Sequence, residues 1–279
     1  SGGNTQGGFF LAALRALEIL GRRLDPLGPE AGVLCRILAA LSAARDARLG
    51  DSPAAPGLDG AGIEHLATGV LADPATGVRS RRPKPGGDTV AIVAADGWGH
   101  WVALIQSVFH AFGAGLLDPS TGVLLHNRGA AFDLVPGSAA MLAGGRRPPH
   151  TLMPVLVRDT RSRRLVGAHG TMGGRVQPQI HTHLALHLAL GRSVGEAVSA
   201  PRWSVGQMEV GATGTPVVHY EGDLPERARR ALAGTGLPTG ALGVHDDGAG
   251  HAQVIRAGAD GFHVATDPRA DGAAVAVGS

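Results

Sequence analysis

The chain has 279 residues, 44% hydrophobic and 17% charged, with 44 glycines and 18 prolines. Such a composition is globular rather than disordered, rich in turns, and long enough for one sizeable core or two small ones. A formal net charge of +2, with no basic run interleaved with aromatics, leaves no nucleic-acid footprint, and no stretch has the length and apolarity of a membrane span.

From Gly7 to Leu20, apolar residues at Phe10, Leu11, Leu14, Leu17 and Ile19–Leu20 form a helical stripe. Pro26 and Pro29 break it. Glu30 to Leu49 reads as a second helix, with Leu34, Ile37, Leu38 and Leu41 on one face and Gly50 after its end. Cys35 lies in this apolar run and reads as a small buried hydrophobe; being alone, it can form no intramolecular disulfide. Asp51 to Gly60 is a Pro/Gly/Ala loop, and Ala61 to Ala72 a short helix. Asp73 to Asp88 is an exposed linker, in which Arg81-Arg82 reads as solvated rather than as a phosphate site.

Thr89 to Ala95 and Trp101 to Ser107 are β-rich runs joined by the turn signal Asp96-Gly97-Trp98-Gly99-His100. Gly122 to His126 is a further short strand, and Gly137 to Pro149 a loop. Met153 to Arg158 and Leu165 to Ala168 are strands flanking a turn at Asp159-Thr160-Arg161. Gln179 to Leu190 is helical, and Val194 to Ser199 continues that helix after Gly191. Glu209 and Val217 to Tyr220 fall in later strands. Leu224 to Ala233 is a helix with Pro225 near its start. Ala252 to Arg256 and Gly261 to Ala265 form a closing hairpin. Helices and hairpins in alternating blocks predict an α+β layered fold. Trp98, Trp101 and Trp203 read as packing residues. His183 and His187 are four apart and share a helix face with His181 nearby, but no carboxylate or cysteine completes a ligand pattern, so no metal or other cofactor is expected.

The stretch Gly86-Gly87-Asp88-Thr89 carries the sharpest chemical hint. A threonine hydroxyl is a weak nucleophile at neutral pH and needs a base. Cutting the chain just before the threonine turns its own α-amino group into that base. An extended Pro-rich linker, a flexible Gly-Gly pair and a strand-opening threonine are what such a cut needs, although an ordinary hairpin entry has the same local sequence.

Further motifs follow in order: Ile105-Gln106-Ser107, Phe112-Gly113-Ala114-Gly115, Thr121-Gly122-Val123-Leu124-Leu125-His126-Asn127-Arg128-Gly129, Pro136-Gly137, and Gly145-Arg146-Arg147-Pro148-Pro149-His150-Thr151-Leu152-Met153-Pro154. After them come Met172-Gly173-Gly174, Gln177-Pro178-Gln179, Ala200-Pro201-Arg202 and Asp267-Pro268-Arg269. This ordered set resembles the γ-glutamyltransferase family in its acylase-like branch. Upstream, Gly7-Gly8-Phe9 and Ala44-Arg45-Asp46-Ala47-Arg48-Leu49-Gly50-Asp51 resemble the end of that family's large subunit. No single motif is specific; their common register is.

The resemblance implies a four-layer αββα sandwich of the N-terminal-nucleophile hydrolase type, incomplete at its N-terminus. Residues 1–88 would be the C-terminal part of a large-subunit-like region ending in a processing linker, and 89–279 the small-subunit-like catalytic region. It implies autocleavage between Asp88 and Thr89, Thr89 as nucleophile, Ser107 as a second polar residue beside it, and Gly173 and Gly174 as the oxyanion-hole pair. Substrate contacts would come from Asn127, Arg128, His150 and Thr151. His150-Thr151 stands where the family has Ser-Ser, and Ala131 where the transferases carry an aspartate that holds the substrate's α-ammonium. Arg128 nearby favours an acidic group instead. The segment between Pro136 and Arg147 is shorter than in lidded members, which implies an open site. The expected partners are a small-molecule amide substrate and a missing large-subunit segment, with homo-oligomerisation left open. With no signal peptide at the start of the chain, the expected location is cytoplasmic rather than secreted, although the resemblance implies that Ser1 is not the native start. The rival reading is an unprocessed or inactive remnant with a non-enzymatic role.

Overall fold

A computed structural model describes residues 4–51, 58–72, 89–206 and 215–277. The linker from Asp73 to Asp88, Glu209 and most of the loop from Asp51 to Gly60 lie outside the described residues. Three helices open the chain: α1 (Gly7–Leu20), α2 (Ala31–Arg48) and α3 (Gly60–Ala72). α1 stops at Gly21, whose φ of +67° is the left-handed conformation that glycine adopts without penalty. α2 has no glycine beyond its first turn and no proline. It buries Leu34, Ile37, Leu38 and Leu41, the face read from the sequence, and each such side chain contributes about 1.5–3 kcal/mol on burial.

Strands β1 (Thr89–Ala95) and β2 (Trp101–Ser107) form an antiparallel hairpin whose register sets Thr89 opposite Ser107. Asp96 closes its turn by accepting from the Trp98 and His100 N–H groups. Trp98 therefore projects from the tip, 88% exposed, instead of packing as expected, while Trp101 meets the Phe262 ring edge-on and Trp203 is buried. A small ribbon of β3 (Leu117–Asp118) and β4 (Val123–Leu124) follows. It takes only the centre of the strand expected over Gly122–His126.

Next come β5 (Val155–Arg158), β6 (Leu165–Met172), α4 (Gln177–Ala189), α5 (Val194–Ser199), β7 (Trp203–Gly206), β8 (Val217–Glu221), α6 (Glu226–Ala233), β9 (Thr239–Leu242), β10 (His251–Gly258) and β11 (Gly261–Thr266). β11, β10, β6 and β5 form an antiparallel four-stranded sheet. The β1–β2 hairpin packs against its β5–β6–β10 part. Gly170 permits this approach, since a Cβ there would sit 2.7 Å from the Ala91 Cβ. Ile180, Leu184, Ala197 and Val198 of α4 and α5 cover Ala252 and Val254 of the same sheet. α4 and α5 are two helices, not the continuous one expected. Gly191 turns at φ +85°, and Ser193 with Glu196 forms a reciprocal capping box that starts the second. β7 and β9 were not expected. They flank β8, with β8 and β9 parallel and α6 between them in sequence.

The larger hydrophobic core joins the two regions on either side of Thr89. Leu17, Leu34 and Leu38 of the opening helices cluster with Trp203, Leu224 and Leu232. The Trp203 Nε1–H also donates to the Pro26 carbonyl at 2.9 Å. A cut before Thr89 would therefore separate two chains that share one core.

Candidate active site

Thr89 opens β1 and is 9% exposed. Its hydroxyl lies 2.9 Å from that of Ser107, its cross-strand partner. Ser107 Oγ also accepts the Phe109 N–H at 3.0 Å and an Arg128 Nη2–H at 3.1 Å. Thr89 Oγ1 donates to that same oxygen, so Ser107 Oγ ties the Thr89 hydroxyl to the Arg128 cation.

Arg128 begins a short 3-10 turn, Arg128–Ala131, and is buried. Its guanidinium stacks 4.3 Å over the Phe109 ring, and Nη1 donates to Thr151 Oγ1 at 3.2 Å. It makes no ion pair with a carboxylate among the described residues. Burial lowers its pKa to about 10, which still leaves it charged at neutral pH. Phe109 holds φ +81°. A non-glycine residue there costs on the order of 1–3 kcal/mol, and Arg128 above the ring and Ser107 beneath its N–H hold it in place. Asn127 does not reach into this cluster. Its Oδ1 accepts from the His110 N–H at 3.0 Å, and its own N–H bonds the Val108 carbonyl, so it braces the Phe109–His110 bend.

His150 and Thr151 stand across from Arg128. The His150 Nδ1 accepts the Leu152 N–H at 3.2 Å. Burial, then the charges of Arg128 and His126, push its pKa below the ordinary histidine value, so the ring is neutral at pH 7. Ala131, at the end of the Arg128 turn, offers no carboxylate. Asp133, the next acid along, is taken by the Val135 N–H and the Ser138 hydroxyl.

Gly173 and Gly174 follow β6 and hold φ of +155° and +54°. A Cβ on Gly173 would come within 2.6 Å of Ile180 Cδ1. The Gly173 carbonyl accepts the Val176 N–H at 3.0 Å, which fixes the peptide plane carrying the Gly174 N–H. Neither glycine's N–H donates to a backbone carbonyl among the described residues, as an oxyanion hole requires.

The two parts of the site are joined by Gln6, a residue the sequence did not single out. Its Nε2 donates to the Thr151 carbonyl at 2.8 Å and to the Gly174 carbonyl at 2.9 Å. Thr89, Ser107, Arg128, Thr151, Gln6 and Gly174 thus form one continuous hydrogen-bonded chain.

The histidines of α4 are packed apart from this cluster. His181 Nε2 pairs with Thr171 Oγ1 at 3.0 Å, His183 lies against Trp203, and His187 Nδ1 accepts from Arg192. Among the described residues, no group of three histidine, cysteine or acidic side chains could hold a metal ion. Asp88, the expected other side of the cut, lies outside the described residues.

The sequence profile of the gamma-glutamyltranspeptidase family matches residues 4–277. An oxamate amidohydrolase proenzyme of Klebsiella pneumoniae subsp. pneumoniae is 37% identical over 190 residues, 67% of this chain and 35% of that protein. A glutathione hydrolase-like proenzyme of Bacillus subtilis, YwrD, is 33% identical over 211 residues, 75% of this chain and 38% of that protein. The crystal structure of a cephalosporin acylase from Bacillus halodurans superposes with a TM-score of 0.77 at 26% identity, covering 99% of this chain and 50% of that one. The chain thus spans well under half the length of these two relatives and half of the matched structure.

Proposed function

The chain belongs to the gamma-glutamyltranspeptidase family, and from that premise we propose that it is the catalytic part of an autoprocessed amidohydrolase with Thr89 as nucleophile. The proposal includes the four-layer αββα arrangement, with residues 89–279 as the catalytic region and the segment before Thr89 as part of a large subunit. The observation that carries it is the Thr89–Ser107–Arg128 contact, in which the strand-opening Thr89 hydroxyl is tied through Ser107 Oγ to a buried cation. The proenzyme names of its relatives point the same way.

In the processing step, the Thr89 hydroxyl attacks the Asp88 carbonyl carbon. The C–N bond breaks, the new ester forms on Oγ, and the amine takes the proton. Water then hydrolyses the ester and leaves Thr89 with a free α-amine, whose ordinary pKa is roughly 7.7–8.0. That amine is a suitable general base near neutral pH. In turnover it takes the Oγ proton as Oγ adds to the substrate amide carbon. The developing oxyanion is received by the Gly173 and Gly174 N–H groups. The leaving amine takes the proton from the α-ammonium, and water resolves the acyl ester by the reverse sequence.

The substrate reading follows from charge. Arg128 is a buried cation with no carboxylate partner among the described residues, His150 is neutral, and Ala131 supplies no anion. A substrate ammonium placed there would meet a like charge and lose its hydration, at a cost on the order of several kcal/mol. We therefore read the substrate as the amide of an acidic or oxo-acid acyl group. An open site exposes the acyl ester to water, so hydrolysis prevails over γ-glutamyl transfer.

The test is processing in the full-length protein. Intact mass should show a cut between Asp88 and Thr89 in the wild type and none in Thr89→Ala. Efficient cutting of Thr89→Ala would overturn the assignment, and a wild-type chain that stays whole would support the remnant reading.

A further inference from the structure

Gln6 occupies the N-cap position of α1, where its carbonyl accepts from the Phe9 and Phe10 N–H groups. Serine, threonine, aspartate or asparagine would stabilise a helix start better, because their short side chains reach back to the first N–H groups. The Gln6 side chain makes no such cap. It is fully buried and points away from the helix. Both its N–H donors are occupied, by Thr151 O and Gly174 O, and its Oε1 accepts from Arg45 Nη1 at 3.4 Å. That last bond decides which end of the amide is which, since only a donor can face Oε1 and only acceptors can face Nε2.

The same Arg45 donates to the Arg175 carbonyl and pairs with Asp46 at 2.8 Å. Two successive carbonyls, that of Gly174 in the oxyanion pair and that of Arg175 just after it, are therefore held from the opening helices. The neighbouring backbone is tied down as well: the His150 N–H donates to the Asn4 carbonyl at 2.7 Å, and Thr5 bridges His150 in parallel. The opening segment thus grips both the substrate-binding loop and the turn that follows the oxyanion pair. It gives up a good helix cap to do so.

We propose that Gln6 is a positioning residue that sets the oxyanion turn Gly173–Gly174 against the Arg128–Thr151 side of the site. This rests on the nucleophile assignment above. It adds that, after the cut, the oxyanion turn of one chain is held by a side chain of the other. Gln6 touches no reacting atom. It acts by fixing peptide planes, and a donor displaced by an ångström costs up to about 100-fold in rate.

The experiment uses the full-length protein with Gln6→Met, which removes the donors at similar volume, and Gln6→Glu, which keeps the shape and the Arg45 acceptor but puts an oxygen where Nε2 donates. Gln6→Glu stands in if Gln6→Met does not fold. The readouts are the thermal melt, kcat and KM for amide hydrolysis, and affinity for a boronate that forms a tetrahedral adduct with the Thr89 hydroxyl. The expectation is a folded variant with kcat about 10- to 100-fold lower, KM within threefold, and boronate affinity lowered by the same factor as kcat. A merely structural role would lower the melting temperature without that matched loss. Unchanged kcat, or a raised KM with kcat and boronate affinity intact, would overturn the proposal. Wild type and Thr89→Ala run alongside: if Thr89→Ala is still cut and active, the nucleophile assignment has failed, not the Gln6 inference alone.

Discussion

Removing the Ser107 hydroxyl tests the centre of the site. Its oxygen receives a charge-assisted bond from Arg128 at 3.1 Å and neutral ones from the Phe109 N–H at 3.0 Å and the Thr89 hydroxyl at 2.9 Å. Ser107→Ala deletes all three while leaving the β1–β2 register to the backbone. Bonds to charged groups are worth about 1.5–3 kcal/mol and neutral ones about 1 kcal/mol. If the Thr89 oxygen is held and polarised through Ser107 as it attacks, about 2–4 kcal/mol of transition-state stabilisation disappears, a rate loss of roughly 30- to 1000-fold. Arg128 keeps Thr151 and the Phe109 ring, so substrate binding should change little. The assay is steady-state amide hydrolysis by the full-length processed enzyme, with the cut followed by intact mass. A kcat within twofold of wild type, in protein that is fully cut, would refute the role given to Ser107.

Substrate choice is read by kcat/KM for a γ-glutamyl anilide against the matching glutaryl anilide, which differ only in the amino group. The glutaryl compound should win, and a tenfold preference for γ-glutamyl, about 1.4 kcal/mol, would mean that another group replaces the absent carboxylate at Ala131. Arg269 is buried between Glu221 and Asp267, with Arg202 on the other side of Asp267. Arg269→Met leaves buried Glu221 without its cationic partner and should destabilise the fold by about 3–5 kcal/mol, visible as a lower urea midpoint; an unchanged midpoint would show that the network carries no net stability. Acid should destabilise the protein through its histidines: burial holds His169 and His187 at about 4 and His181 and His183 well below their ordinary value. The unfolded chain, at about 6.5, binds more protons, so stability is full above that pH and falls as pH drops toward 4, by up to about 1.4 kcal/mol per unit for each histidine. A urea midpoint at pH 5 equal to that at pH 7 would contradict this.

The sequence by itself determined the local order of this protein. The stripe of α1, the apolar face of α2 and the Asp96–His100 turn are readable because helix and hairpin periods repeat within a few residues. That turn also fixes the register that sets Thr89 opposite Ser107. The family resemblance supplied the expected roles, and the fold brings Thr89, Ser107, Arg128 and Thr151 into one cluster. Asn127 stays outside, because its amide is used by the His110 N–H. The break between α4 and α5 is written in Gly191 and the Ser193–Glu196 capping box, but the apolar pattern runs on across it. What only the tertiary structure decided is Gln6. It bonds carbonyls 145 and 168 residues away. A side-chain amide meeting distant backbone acceptors obeys no period and needs no partner of particular identity, so nothing along the chain marks it until the fold brings the two together.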